Sequence, residues 1–595
     1  MDPLPVPPLT QTLQKYLVAV QPLLSRQEQD EARDAVQRTL DGVGPVCQSA
    51  LEEFAASERT AGRSWLSTAW LRGYLDVRTP LPLTSSVGFQ IRPPVPRSSE
   101  PGAAAASQVS AQTHTAHAAH AAGVIQRLAG VHLAWLRGEL PVEQTPRGER
   151  VCGLQREVLA GGLRHPGTST DEFRPADDSP QRREVGLLVD DRFVVAQVSD
   201  SAGHPLARET LAQSIQEALH RADLAGPALD PGFTAVSYLG SARASAYLDR
   251  LLDDPANQRV YERLAEVLFV VHLDRAAGST QEHLWRAAFS PGQAWAYTPI
   301  TYQVSLVDDF VGMHLEHSQV DAATLKAVLR HAQSDVWTAR ADPAYASAPV
   351  ESVEWTYPDD LATELRVELD AYQQEAGQLR LDTVRVARPV PADLPFRVSD
   401  DALCQWMMLY AQLSTYERVR STYEAVDTRH YSAGRTECLR SVTPEAVDLV
   451  RALRDGTAQA RHLNAALVAH KEWIKACKTG QGIDRHLTGL ASIAAARGVR
   501  LPVLDDVSYG RLKTDFLSTS SIGDHDQIVG MCFAPTSEGG LGVNYTALPD
   551  VYEFVVTSHR TQARDVGTFV ARLDEAAAAL ATLLDSLAGE RTADQ

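Results

Sequence analysis

Long hydrophobic runs are missing from this chain. No stretch approaches the roughly 18 continuous apolar residues that a membrane-spanning helix requires, and even the apolar run 267–271 is bounded by Glu266 on one side and by His272 and Asp274 on the other. Positive charge is also scarce: 56 Lys plus Arg stand against 75 Asp plus Glu, a formal net charge of −19. A nucleic-acid partner calls for a basic excess or a basic stripe, so none is expected, and the high net charge favours a monomer. The six cysteines (Cys47, Cys152, Cys404, Cys438, Cys477 and Cys532) lie far apart without a CxxC pair. That spacing argues against a disulfide framework and a structural zinc site, and a reducing cytoplasm is the expected setting. The opening Met1-Asp2-Pro3-Leu4-Pro5 carries an acid and prolines where a secretory signal carries basic residues. The closing Thr592-Ala593-Asp594-Gln595 is no peroxisomal address. A GxSxG nucleophile elbow and an internal repeat are lacking too.

What is present reads as mixed α/β. Hydrophobic residues make up 44% and charged residues 22% of 595 positions, material for two large domains or three smaller ones, with two preferred. Leu13, Tyr16, Leu17 and Val20 share a helical face, and Ser25-Arg26-Gln27-Glu28 is a capping-box pattern starting a second helix to about Leu40. Around residues 77–94, prolines, serines and short apolar runs mark a crossing into another domain. Residues 184–198 predict a hairpin turned at Asp190-Asp191, followed by a helix over 210–222. Near residue 300 the period becomes two: Tyr302, Val304 and Leu306 alternate with Thr301, Gln303 and Ser305. Past Asp308-Asp309, Val311, Met313 and Leu315 alternate with Gly312, His314 and Glu316. The polar segment 342–363 reads as the way out of this domain, and 385–398, with three prolines, as irregular. A long helix is expected over 400–422, strands over 527–533 and 551–557 joined through Gly539-Gly540, and a closing Ala/Leu helix over 565–587.

His114, His117 and His120, in the low-complexity stretch 101–123, sit at i, i+3 and i+6. With no carboxylate or cysteine at ligand spacing they read as incidental residues of an Ala-rich helix, and no metal is expected. The sharpest local signal is Glu316-His317-Ser318-Gln319-Val320-Asp321. His317 stands where the second alternating strand stops; Ser318 and Asp321 are spaced as an N-cap and an N3 carboxylate, with Leu325, Val328 and Leu329 as the following apolar face. The positive end of a helix disfavours imidazolium, which keeps the ring neutral and able to accept a proton, as a general base must. Taken alone, the segment fits equally a strand-end histidine that satisfies local backbone groups.

The H-x-x-x-D spacing of His317 and Asp321 resembles the motif of chloramphenicol acetyltransferase-like acyltransferases, and Glu316-His317-Ser318 with Asp321 is similar, more narrowly, to the choline/carnitine O-acyltransferases. Leu4-Pro5-Val6-Pro7-Pro8-Leu9, with Thr12 and Tyr16-Leu17, resembles that family's N-terminal signature, as does the stretch from Trp65-Leu66-Ser67 to Ser85-Ser86. Further likenesses are Leu140-Pro141-Val142-Glu143, Arg147-Gly148, Arg164-His165-Pro166-Gly167, and Tyr423-Glu424 leading into Gly434-Arg435-Thr436-Glu437. Asp484-Arg485-His486-Leu487 and Leu517-Ser518-Thr519-Ser520 complete a set that runs in family order over essentially the whole chain.

The resemblance implies two similar α/β domains, each a mixed sheet with helices, and an active-site tunnel at their interface. Residues 1–76 would form N-terminal helices packing with the second domain, 77–358 the domain of the catalytic histidine, and 359–595 the domain of the carnitine site and acyl pocket. It implies reversible acyl transfer between coenzyme A and the carnitine hydroxyl without an acyl-enzyme, the thioester being a co-substrate and no cofactor being permanently bound. His317 falls on the family's general base and Ser520 on its oxyanion donor, with Glu316 and Asp321 in support. Tyr423, Thr436 and Arg485, helped by Ser518, fall where the family pairs the carnitine carboxylate; choline-specific members do not keep the threonine and arginine. Gly530 takes the place of a bulky methionine found in members restricted to acetyl groups, which implies medium or long acyl chains. Its site is assigned to the second domain, together with all these residues except His317, Glu316 and Asp321.

Departures from the family gather on the donor side. Ser399-Asp400-Asp401 lacks the proline of the family's Ser-Pro-Asp region, and the lysines that meet the 3′-phosphate of coenzyme A fall on Val390 and Leu394. Arg385, Arg388 and Arg397 lie nearby and suit phosphate oxygens, so Asp401, Arg388 and Arg397 are the donor-site candidates. Ala322 replaces the usual glycine, Ala294-Trp295-Ala296-Tyr297-Thr298-Pro299 replaces Asn-Arg-Trp-Phe-Asp-Lys, and Asp308-Asp309 replaces an Asp-Gly turn. Two rival readings stay open. One is an acyltransferase of the same fold with another hydroxyl acceptor, or with a donor other than coenzyme A such as a carrier-protein thioester; the other is a non-catalytic descendant that binds a ligand at the domain junction.

Overall fold

Apolar and β-branched runs build two mixed sheets in the computed structural model, which describes residues 1–95, 111–145, 147–226, 230–334, 348–391, 394 and 396–593. The eight-stranded sheet has the spatial order Ile528–Cys532, Val87–Ile91, Val311–Leu315, Ile300–Ser305, Val270–Asp274, Glu184–Val189, Arg192–Gln197, Val350–Val353. The six-stranded sheet runs Leu379–Ala387, Val551–His559, Leu541–Ala547, Leu517–Ser520, Thr422–Asp427, Thr436–Leu439. The two strands near residue 300 alternate in sequence as the period of two predicts, yet every residue in both is buried. Helices cover both faces of the sheet, so the polar members need internal partners: the His314 ring, for example, bonds through Nδ1 to the Ala287 carbonyl at 3.0 Å.

Several local signals are realised. Ser25 and Glu28 cap the helix Arg26–Asp41 reciprocally. The hairpin of Glu184–Val189 and Arg192–Gln197 turns on Asp190 and Asp191 with φ of 50° and 53°, a left-handed turn whose twist matches that of its strands. Other expectations need correction. The helix expected over 400–422 is Asp400–Tyr416, stopped by Glu417 in a left-handed conformation, and Thr422 already opens a strand. Residues 385–387, read as irregular, finish the strand Leu379–Ala387. Ser318 and Asp321 do not cap a helix as a pair: the helix is Ala322–Gln333, with Asp321 at its N-cap position and no side-chain cap bond, because both side chains have stronger partners. The low-complexity residues 101–110 and the first part of the segment 342–363 lie outside the described residues, as do positions 392, 393 and 395.

Two features tie the halves together. The strand Ile528–Cys532, expected with the second half, pairs instead with Val87–Ile91 in the eight-stranded sheet, Gly530 opposite Gln90. It is not joined to Val551–His559 by a single turn, since Leu541–Ala547 intervenes in the other sheet. The N-terminal helices Leu9–Val20, Arg26–Asp41 and Gly44–Thr60 share one core with the six-stranded sheet and its helices, Leu13, Tyr16 and Leu51 packing among Met407, Leu449, Leu487 and Phe554. His486 locks this contact. Its Nε2–H donates to the Gln48 side chain at 3.0 Å, and its Nδ1 accepts from Thr12 at 2.7 Å. Among the described residues no helix is long and apolar enough to cross a membrane.

Candidate active site

A cavity of about 2200 Å³ is lined from both halves: His317, Asp321 and Lys326 face it from one side, and Tyr423, Thr436, Ser518 and Ser520 from the other. His317 leaves the end of Val311–Leu315 at a corner fixed by charge. Arg164, fully buried, donates to Glu316 at 2.8 Å, to Asp171 at 2.7 Å and to the Tyr74 carbonyl at 2.7 Å, and the Ser318 hydroxyl donates back to Glu316. Glu316 therefore supports the corner from behind. Asp321 receives a two-pronged Arg435 guanidinium at 2.8 and 2.9 Å and the Gln155 amide at 2.7 Å. Burial pushes its carboxyl up, but Arg435, His317 and Gln155 together hold it below the usual carboxylate range. Arg435 also donates to the Ser318 carbonyl at 2.8 Å and the His317 carbonyl at 3.2 Å, so one side chain clamps the whole turn.

This clamp decides the tautomer. His317 Nδ1 lies 2.8 Å from the Val320 carbonyl and 3.6 Å from Asp321. A carbonyl only accepts, so Nδ1 carries the proton and Nε2 of the neutral ring carries the lone pair, with no protein partner among the described residues. The ring is about a quarter exposed and its centroid lies 5.6 Å from that of Tyr74. The arrangement suits proton abstraction from a hydroxyl in the cavity.

The strand Leu517–Ser520 contributes Ser518, Thr519 and Ser520 to the same cavity wall, and the Thr519 hydroxyl donates to the Tyr423 carbonyl at 2.7 Å. Asn544 steadies the strand end: its amide donates to the Ser520 carbonyl at 3.0 Å and accepts the Met531 N–H at 3.2 Å, linking the two sheets. Arg485 opens the helix Asp484–Ala496 and sits behind the cavity wall. It donates to the Tyr423 hydroxyl at 2.8 Å, the Thr436 hydroxyl at 3.3 Å and the Thr436 carbonyl at 2.9 Å, and its guanidinium lies 4.3 Å from the Trp70 ring centroid. It has no ion pair among the described residues. Glu437 is nearby, but its carboxyl accepts the Arg485 backbone N–H at 3.2 Å rather than the side chain, and burial pushes it up to about 7.

Gly530 does not line this cavity; its neighbour Met531 does. A bulge falls beside it in the pairing with Val87–Ile91, and a methyl group at 530 would meet nothing nearer than Val555 at 3.9 Å and Gln90 at 4.0 Å. Of the donor-site candidates, Asp401 faces the cavity and is held by His470 at 2.9 Å and the Tyr545 hydroxyl at 2.6 Å. Arg388 is brought elsewhere: it pairs with Asp400, donates to the Pro549 carbonyl at 3.2 Å and does not line the cavity. Arg385 pairs with Glu553 at 2.7 Å, and Arg397 is exposed outside the cavity wall. Arg435 went unassigned although it lies inside the Gly-Arg-Thr-Glu motif. Gln155, Trp70 and Tyr74 carry no local signal, because only the fold brings them to the site. Among the described residues no cluster could hold a metal ion.

The chain is similar to known proteins along nearly its whole length. The Columba livia carnitine O-acetyltransferase is 26% identical over 93% of this chain and 88% of its own length. The Rattus norvegicus peroxisomal carnitine O-octanoyltransferase is 24% identical over 94% and 91%, and the choline O-acetyltransferase of the same organism 25% over 93% and 88%. The profile of the Choline/Carnitine o-acyltransferase family matches residues 4–575. With that match spanning nearly all of the sequence, the chain belongs to the choline/carnitine O-acyltransferase family.

Proposed function

We propose that this protein moves an acyl group reversibly between the thiol of coenzyme A and the hydroxyl of carnitine. The observation that carries the reading is Arg485, a largely enclosed cation bound only to neutral oxygens of Tyr423 and Thr436. An unpaired cation in such a place calls for an anionic ligand. Carnitine supplies a carboxylate; choline does not. With that carboxylate at Tyr423 and Thr436, assisted by Ser518, the acceptor hydroxyl lies toward His317.

His317 Nε2 takes the hydroxyl proton as the oxygen attacks the thioester carbonyl. The resulting oxyanion accepts a hydrogen bond from the Ser520 hydroxyl, a contact worth a few kcal/mol when preorganised. The intermediate collapses with cleavage of the C–S bond, and the imidazolium returns its proton to the departing thiolate. Asp321, anchored by Arg435, steadies the positive charge on the ring between these steps. Coenzyme A is a co-substrate consumed and released, and no bound cofactor is called for.

Gly530 supports acyl groups longer than acetyl. Its surroundings have room for a methyl group, so tight packing does not demand glycine there, and the missing side chain leaves space between Val555 and Gln90. Thiol release from acetyl-, octanoyl- and palmitoyl-coenzyme A, with carnitine or choline as acceptor, tests the reading. Release should require carnitine, favour the longer chains, and fall by about 100- to 10,000-fold in His317→Ala. Equal release with choline, or activity undiminished in the variant, would sink it.

A further inference from the structure

Ser520 is the last residue of its strand. Up to that point Leu517–Ser520 is held in the six-stranded sheet by parallel neighbours on both sides, with Ser520 itself opposite Asn544. Residues 521–527 then carry the chain across to the other sheet, where Ile528–Cys532 begins. Among the described residues, every side chain that hydrogen-bonds this crossing loop from outside belongs to the first half. Lys326 Nζ donates to the Ile522 carbonyl at 2.8 Å and pairs with the Asp524 carboxylate at 2.7 Å. Arg92 donates to the His525 carbonyl at 2.8 Å and Gln333 to the Asp526 carbonyl at 3.2 Å, while the Ile522 side chain packs against the core of the eight-stranded sheet. Of these three side chains Lys326 reaches nearest to Ser520, and it is largely enclosed, 12% exposed. Gly523 turns over it with φ of 79°, which strains any other residue, and a Cβ there would stand 4.0 Å from Nζ.

The ammonium is carried by the helix that starts beside the base. Asp321 is the N-cap residue of Ala322–Gln333, and Lys326 lies about 7.5 Å further along the axis. The start of this helix is itself fixed: Gln155 Oε1 accepts the Asp321 N–H at 2.8 Å and the Thr324 hydroxyl at 2.7 Å, and Arg429 donates to Thr324 Oγ1 at 2.9 Å. One anchored helix thus begins at the turn of His317 and grips the loop that leaves Ser520. Base and oxyanion donor must stand at a set separation, and misplacing either by about 1 Å costs on the order of 100-fold. They sit on different sheets, so contacts between the halves must set that separation. Asn544 fixes the Ser520 carbonyl, and Lys326 fixes the chain beyond it.

We infer that Lys326 is a positioning residue, which sets the Ser520 hydroxyl against His317 by holding Ile522 and Asp524. The inference rests on the acyltransferase reading above and adds what keeps its base and its oxyanion donor at working distance. The ammonium is engaged by the loop, so it acts through Ser520 and not on the substrate.

Transfer from octanoyl-coenzyme A to carnitine is measured for the native protein, Lys326→Met, Lys326→Arg, Ser520→Ala and the Lys326→Met/Ser520→Ala double variant, each checked for folding by its melting curve. Lys326→Met should lower kcat by about 10- to 100-fold and change KM for either substrate by less than about twofold. Lys326→Arg should keep most of the rate. In the Ser520→Ala background the same change should cost less than about threefold, because the hydroxyl it positions is already gone. The acid limb of kcat/KM against pH, which belongs to His317, should stay in place. Losses that multiply in full in the double variant, a displaced acid limb, a change confined to KM or an undiminished kcat in Lys326→Met each overturn the inference. If Lys326→Met melts too early to assay, Asp524→Ala, at a half-exposed position, takes its place with the same pattern at smaller amplitude. Amide hydrogen exchange decides independently of turnover: residues 521–524 should exchange about tenfold faster or more in Lys326→Met, with Ile300–Ser305 unchanged. If the native protein transfers nothing to carnitine, or Ser520→Ala equals it, the acyltransferase reading fails by itself. Faster exchange at 521–524 then still upholds the tether, and unchanged exchange overturns it as well.

Discussion

Glu437 lies directly after Thr436, which lines the cavity, and burial pushes its carboxyl up to about 7 despite the nearby Arg485 charge. An acid whose pKa is raised on folding holds its proton longer in the native state than in the unfolded chain. Its contribution to stability is then greatest below the ordinary carboxylate range and declines as pH rises through about 7. In denaturation series, wild type should lose stability relative to Glu437→Gln between about pH 5 and 7, with a slope of up to about 1.4 kcal/mol per pH unit. Parallel profiles would mean that Glu437 titrates like a free carboxyl. The residues proposed for the chemistry could be picked out because their motifs are short and local: His317 with Asp321, Ser518 to Ser520, Arg485 beside Asp484. Their partners could not. Arg435 and Gln155 reach Asp321 from more than 100 positions away, and nothing local says that Glu553 and Asp400 will claim Arg385 and Arg388.

Strands and helices were readable to within a few residues wherever the period was clean, as at Ile300–Ser305 or Arg26–Asp41. Sheet membership was not, since a period of two marks a strand and says nothing about its neighbour. Ile528–Cys532 illustrates this: its composition marks a strand, and only pairing with Val87–Ile91 assigns it to the eight-stranded sheet. The same pairing sets Gly530 between Gln90 and Val555, so a side chain added there projects between the two sheets. Gly530→Met should move the ratio of kcat/KM for octanoyl over acetyl donors toward acetyl by about 100-fold, since even one methylene in a fitted pocket discriminates by ten- to 200-fold. An unchanged ratio would place the acyl chain elsewhere.

At the scale of the molecule, the N-terminal helices are part of the second core rather than an appendage. Leu9, Leu13, Tyr16, Val20, Leu51 and Trp65 pack into it, and Tyr16 donates or accepts a hydrogen bond with Ser508 at 2.6 Å. Removing residues 1–76 would bare this face. The truncated chain should fail to give a cooperative unfolding transition and should aggregate on expression; a soluble monomer with a native-like melting curve would show that the second core closes without the helices.

The crossing strand also sets an order of events during synthesis. Val87–Ile91 and Val311–Leu315 leave the ribosome early, but the strand that covers the other side of Val87–Ile91 is made roughly 200 residues later. At about 5–20 residues per second the nascent chain carries an open sheet edge for on the order of 10–40 seconds. An unpaired edge of that kind recruits other strands. The native strand must therefore outcompete intermolecular pairing, and the yield of folded protein depends on how fast, and in what company, the last third of the chain is translated.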